Sequence, residues 1–138
     1  MYDRIMVPVD LAHAEALEKA ITIAADLARP YDASLGLVGA TGTEPTAIAR
    51  SPEDFAKRLG DFAGRIGDRF GVQTTSDALH LHDVTIDLDP KLAAHAGKIG
   101  ADLILMASHV SGVADYLFGS NAGAITQHAK MSIMVVRP

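Results

Sequence analysis

A chain of 138 residues is short enough to read as one domain and long enough to bury a sizeable core without disulfides or metals. Its net charge is −5, with 12 Lys and Arg against 17 Asp and Glu and no basic cluster, which argues against nucleic acid as a partner. The absence of cysteine excludes disulfides, zinc thiolates and thiol chemistry, and the apolar run after Met1-Tyr2-Asp3-Arg4 is too short for a signal peptide or a membrane span, so a cytoplasmic protein with no membrane insertion is expected.

Ile5-Met6-Val7-Pro8-Val9 is an unbroken apolar run ending at Asp10, the pattern of a strand covered on both faces. Leu17, Ile21, Ala24, Ala25 and Ala28 recur at helical spacing, and Arg29-Pro30-Tyr31-Asp32 ends that helix. Ala33 to Ala40 reads as a second, glycine-rich strand, and Thr41 to Arg50 as a loop that is the one candidate lid. Ser51-Pro52 combines an N-cap residue with proline at the first helical position. Phe55, Leu59, Phe62, Ile66 and Phe70 then form an apolar stripe that Gly71 terminates.

Gln73 to His82 is the third strand, with Leu79 and Leu81 alternating with His80 and His82 as an edge strand would. Asp89-Pro90 repeats the cap-plus-proline signal and predicts a short helix to Lys98, closed by Gly100. Leu103-Ile104-Leu105-Met106 is the fourth strand and breaks off at Ala107-Ser108-His109. Gly119-Ser120-Asn121-Ala122 opens a last helix to about Ala129, and Ile133-Met134-Val135-Val136 is the closing strand. Strands alternating with helices imply an α/β fold: a doubly wound five-stranded parallel sheet, order 3-2-1-4-5, with helices on both faces and right-handed crossovers.

In such sheets ligands sit beyond the carboxyl ends of the strands, where the winding reverses. With strand one central, the reversal lies between strands one and four. The residues leaving them are Asp10 and Ala107-Ser108-His109, and the helix start at Gly119-Ser120 can fold over the same crevice. Unpaired N–H groups at a helix start suit phosphate. Ser120 can equally cap the helix, Asp10 can be a helix cap, and Asn121 can serve either purpose. His109 is placed to touch a ligand, but nothing in the sequence orients it as a general base. His80 and His82, with Asp83, have metal-compatible spacing, although a polar strand face accounts for them more simply. No Gly-Lys-Ser/Thr phosphate loop and no glycine-rich dinucleotide fingerprint is present, and Asp10 lacks the acidic neighbours of a phosphoacceptor site.

The segment from Met106-Ala107-Ser108-His109 to Gly119-Ser120-Asn121-Ala122, then Gln127-His128-Ala129 and Ile133-Met134-Val135-Val136-Arg137, resembles the end of a universal stress protein domain. Ile5-Met6-Val7-Pro8-Val9-Asp10 resembles that family's first strand, and Gly100-Ala101-Asp102-Leu103-Ile104 its approach to strand four. The resemblance spans residues 1–138 as a single domain and is most specific at the two ends. It implies a Rossmann-like fold of the HUP type. Many members bind ATP through G-x-x-G-x9-G-[S/T]. Here Ala107 and Val110 stand at the first two glycine positions, and eight residues, Ser111 to Phe118, separate Val110 from the intact Gly119-Ser120. The Ala-Ser-His start and Tyr116-Leu117-Phe118-Gly119-Ser120-Asn121-Ala122 look more like the small F/G-type members, which can hold ATP without the full glycine pattern.

The resemblance implies an adenine nucleotide, ATP with or without Mg²⁺, bound by Pro8, Val9, Asp10, Val38, Gly39, Met106, Ala107, Ser108, His109, Val110, Gly119, Ser120, Asn121 and Ala122. Asp10 would meet the ribose or adenine, backbone groups near Val38 to Ala40 the adenine, and Gly119 to Asn121 the phosphates. Similar members carry a histidine at His128, where packing or capping is its expected role. The resemblance further implies a homodimer through Ile133, Met134, Val135, Val136 and Arg137, since an apolar edge strand needs a cover. The expected role is a stress-response regulator acting on an unidentified partner protein. The alternatives are a nucleotide-free dimeric module of the same fold, or a slow ATPase or self-modifying protein.

Overall fold

The computed structural model describes residues 1–108 and 129–137. Its elements are β1 (Arg4–Pro8), a short 3-10 helix (Leu11–Leu17), α1 (Glu18–Tyr31), β2 (Ser34–Thr41), α2 (Pro52–Phe70), β3 (Gln73–His80), α3 (Val84–Lys98), β4 (Leu103–Ala107) and β5 (Ser132–Val136). The five strands form one sheet in the order β3-β2-β1-β4-β5. Every pairing is parallel. This is the doubly wound order expected from the alternation of apolar runs, with the reversal between β1 and β4.

The sheet separates two cores, as alternation along each strand requires. Ile5, Val7, Leu35, Leu37, Leu103 and Leu105 face α1 and α2, joining the Ile21-Ala24-Ala28 and Leu59-Phe62-Ile66 stripes. Met6, Val38, Ile104 and Met106 face the other way and pack on Leu88, Leu92 and Ala96 of α3. The predicted caps of α2 are in place: Ser51 Oγ accepts the Asp54 N–H at 3.1 Å, and Gly71 closes the helix at φ 67°. At the end of α1, Pro30 lies in the last turn and Asp32 takes a left-handed conformation, a role that short polar side chains tolerate. The Ala33 N–H then reaches back to the Ala28 carbonyl at 3.0 Å.

Two expectations need correction. The third strand ends at His80, so His82 lies beyond it and not on a shared strand face. The third helix starts at Val84, and Asp89 and Pro90 lie inside it. A proline there removes one helical hydrogen bond and costs about 3 kcal/mol. Keeping the first turn buries Leu88 (3% exposed) on the same stripe as Leu92 and Ala96. Such burial returns about 1.5–3 kcal/mol, and the Asp87 carboxylate supports the turn by accepting the Asp83 N–H at 3.2 Å. The predicted helix from Ser120 to Ala129 falls on residues outside those described, save Ala129.

Candidate functional site

A step in the sheet makes the site. β1 runs in register with β2 only as far as Pro8 opposite Val38. The Val9 N–H makes one more bond, to the Val38 carbonyl at 2.8 Å, and the chain then leaves the sheet. β2 continues past Val38 to Thr41, still paired with β3 through Thr41 opposite His80. In a parallel ladder alternate residues turn their backbone groups to the same side. Val38 faces β1, so Ala40 does too, and it stands beyond the end of the β1 pairing. A cleft of about 510 Å³ opens over this step, within the size range of small-molecule sites.

Each wall follows from a local rule. On one side Val9 leads into the turn Asp10–His13. On another, the loop after β2 contributes Thr46 and Ile48. The Thr46 hydroxyl accepts the N–H groups of Ile48 and Ala49, each at 3.2 Å, and the Thr46 N–H bonds the Ala49 carbonyl at 2.9 Å. With Ala49 buried, this stretch of the candidate lid is a closed turn anchored to the core. Phe55, one turn into α2, crosses over Gly39, where a Cβ would come within 2.9 Å of the ring. Val84 and Leu88 of α3 complete the enclosure.

Asp10 sets the polarity of the cleft. Its Oδ1 accepts the Ala12 N–H at 3.0 Å, capping the 3-10 helix, and its Oδ2 lies 2.9 Å from His13 Nδ1. An ionised carboxylate only accepts, so the Nδ1 of His13 carries a proton and Nε2 is turned away from the pair. His13 has φ −132° and ψ 44°, a break in the helical path. The cap reading of Asp10 is therefore realised, while a carboxylate retains further acceptor sites.

On the far side of β1, Met106, Ala107 and Ser108 are buried at the end of β4. The Ser108 N–H bonds the Val136 carbonyl at 2.8 Å, but its buried hydroxyl has no hydrogen-bond partner among the described residues. A buried hydroxyl left unmet costs about 1–3 kcal/mol, so Ser108 calls for a partner from outside the described residues or from a ligand.

Of the predicted residues, Val9 and Asp10 line the cleft. Pro8 and Val38 are a buried register pair at its base, and Gly39 lies under Phe55. Met106, Ala107 and Ser108 stand beside β1 at the same end of the sheet, through the register Met6 opposite Ile104. His109, Val110, Gly119, Ser120, Asn121, Ala122 and His128 lie outside the described residues. Ile133 to Val136 form the outer strand, and Met134 and Val135 are exposed. Sequence reasoning missed His13, Thr46, Ile48 and Phe55 as cleft residues. The Asp-x-x-His spacing after a strand was a signal for the first, whereas Phe55 reads in sequence as ordinary core stripe.

The fold has many relatives of known structure. A universal stress protein from Burkholderia pseudomallei is 22% identical, with TM-score 0.69 over 98% of this chain and 96% of that one. One from Archaeoglobus fulgidus, solved in complex with dAMP, is 21% identical, with TM-score 0.69 over 97% of each chain. A third, solved in complex with cAMP, is 18% identical, with TM-score 0.69 over 99% of this chain and 97% of that one. At such identities the likeness speaks for the fold alone. The family follows from the sequence model of the universal stress protein family, which matches residues 1–137. With that match over nearly its whole length, the chain belongs to the universal stress protein family.

Proposed function

We propose that this chain binds an adenine nucleotide at the carboxyl end of its sheet, with ATP as the form expected from the resemblance of its loop after β4. The observation that carries the reading is the cleft of about 510 Å³ over the step between β1 and β2, with Asp10 in its wall. The base would lie along the end of β2, where Ala40 offers an N–H and a carbonyl beyond the β1 pairing. Asp10 would take a ribose hydroxyl. The phosphates would run toward the end of β4, where the Ser108 hydroxyl has no partner among the described residues, and on to Gly119, Ser120 and Asn121. Two relatives of the same fold are described as complexes with cAMP and dAMP, which supports an adenine ligand. Among the described residues no group of three metal-binding side chains is placed to hold an ion.

In this reading the chain works in the cytoplasm as a regulatory module, and nucleotide occupancy alters its contact with a partner protein. Two copies pair along β5. Mass spectrometry of nucleotide released from freshly purified protein, followed by calorimetric titration of stripped protein with ATP, tests it. Binding is expected, and Gly119→Asp should abolish it by setting a carboxylate against phosphate. Absence of released nucleotide together with absence of binding heat would leave the nucleotide-free dimeric module as the function. Hydrolysis well above that of a His109→Ala variant would favour the ATPase alternative.

A further inference from the structure

We propose that His13 is the contact in this cleft for the negative charge of the ligand, its imidazolium Nε2–H donating to a phosphate oxygen, so that nucleotide binding takes up a proton. The inference rests on the nucleotide reading and adds to it a residue and a proton.

Among the described residues, the ionisable side chains lining the cleft are those of Asp10 and His13. The walls from β2, the Thr46–Ile48 turn, α2 and α3 are neutral. The charged residues that flank these walls in the chain include Glu15, Glu44, Arg50, Asp54, Asp83, Asp87 and Asp89, and none of them lines the cleft. Glu18, the first residue of α1, is engaged by Arg69. A phosphate that passes Asp10 on its way to the end of β4 meets that carboxylate and, among the described residues of the cleft, no lysine or arginine, so a cation beside Asp10 favours its passage.

His13 is built to be that cation. Asp10 holds Nδ1 at 2.9 Å, which orients the ring and leaves Nε2 for a second partner. The side chain is 44% exposed, so the ring is within reach of a ligand. An imidazole placed between a carboxylate and a phosphate must donate from both nitrogens, and only the protonated ring does so. Histidine is also the side chain whose charge changes near neutral pH. The device therefore ties nucleotide affinity to pH through a residue that caps no strand and fills no core.

The test uses cyclic AMP, because the terminal phosphate of ATP titrates near neutrality and a phosphodiester does not. The intact protein and His13→Gln are titrated calorimetrically from about pH 6 to 8, in two buffers of different ionisation heat. In the intact protein, affinity should fall with rising pH by up to about tenfold per unit, and the buffer comparison should show net proton uptake. His13→Gln should bind more weakly at the acid end and lose the slope. His109 lies outside the described residues, so the difference between the two proteins assigns the proton to His13. Equal slopes in both proteins, affinity that rises with pH, or no proton uptake by the intact protein would overturn the proposal and leave the nucleotide reading standing. No binding of cyclic AMP at any pH would overturn the proposal, while the nucleotide reading is decided by the ATP titration. The buffer comparison needs no variant, so a His13→Gln protein that fails to fold does not shelter the idea.

Discussion

One methyl group at Gly39 tests how the cleft is built. A Cβ there would stand 2.9 Å from Phe55 Cζ, 3.3 Å from Cε1 and 3.3 Å from the Val9 carbonyl oxygen. Carbon atoms settle at about 3.5–4.0 Å, so the ring must retreat by about 0.6–1.1 Å. Phe55 is 6% exposed and held in α2 by its packing against the core. Overpacking of this kind costs about 1–3 kcal/mol. Removing the excess freedom of glycine from the unfolded chain returns about 0.4–1 kcal/mol. Gly39→Ala should therefore lose about 1–2 kcal/mol, or about 3–5 °C of melting temperature per kcal/mol at this chain length. Gly36 on the same strand is the control: a Cβ there meets the far end of Ile99 at 3.2 Å and the Thr75 hydroxyl at 3.6 Å. A flexible tip can yield, and Gly36→Ala should stay within about 0.5 kcal/mol of the parent. Urea unfolding followed by circular dichroism measures both. Phe55→Leu shortens the obstructing group, so in its background the cost of Gly39→Ala should shrink by about 1 kcal/mol. Equal stability of the two alanine variants, or no coupling to Phe55→Leu, would refute the claim that Gly39 is kept small to seat the ring.

Three further outcomes follow from named contacts. Ser51→Ala removes the oxygen that accepts the Asp54 N–H and should cost about 1 kcal/mol in urea unfolding. Asp54 is held below its ordinary carboxylate range, first by the Arg50 backbone N–H and then by Arg58. A depressed value in the folded state means that its stabilisation is fully present above the unfolded value of 3.8 and is lost as pH falls through the folded one. Asp54→Asn should accordingly be less stable than the parent near neutral pH and converge with it in acid, read as melting temperature against pH. On β5, the Val136 carbonyl accepts from Ser108, so Val136 turns its backbone groups to β4 and Val135 turns its own to the free edge. Val135→Pro thus deletes an outward donor without breaking a β4 bond. It should sediment as a monomer with its circular dichroism intact, and a dimeric Val135→Pro protein would refute pairing along this strand.

The two ends of the chain were legible in different ways. Apolar runs such as Ile5–Val9 and Leu103–Met106 identify strands buried on both faces, because nothing else of that length needs to be apolar throughout. Once strands alternate with helical stripes, few sheet orders remain. Ser51 and Gly71 marked α2 to the residue because capping is local chemistry. Asp89-Pro90 misled for the same reason. A local signal for a helix start was overruled by Leu88, whose burial against Met6 and Val38 depends on residues far away in sequence.

The cleft shows the same divide at finer grain. Sequence marks where a strand stops, but a site at a sheet end depends on how far its neighbours run. β2 reaches Thr41 while β1 stops at Pro8, and that offset, invisible in either segment alone, creates the space and leaves Ala40 facing it. Asp10 makes the point chemically. As a cap it spends one oxygen on the Ala12 N–H and one on His13. Those two contacts fix the carboxylate at the mouth of the cleft and orient the imidazole next to it. The structural role and the proposed binding role are then not competitors. A carboxylate anchored by its own turn is already in place when a ligand arrives, and little further ordering entropy is lost in using it.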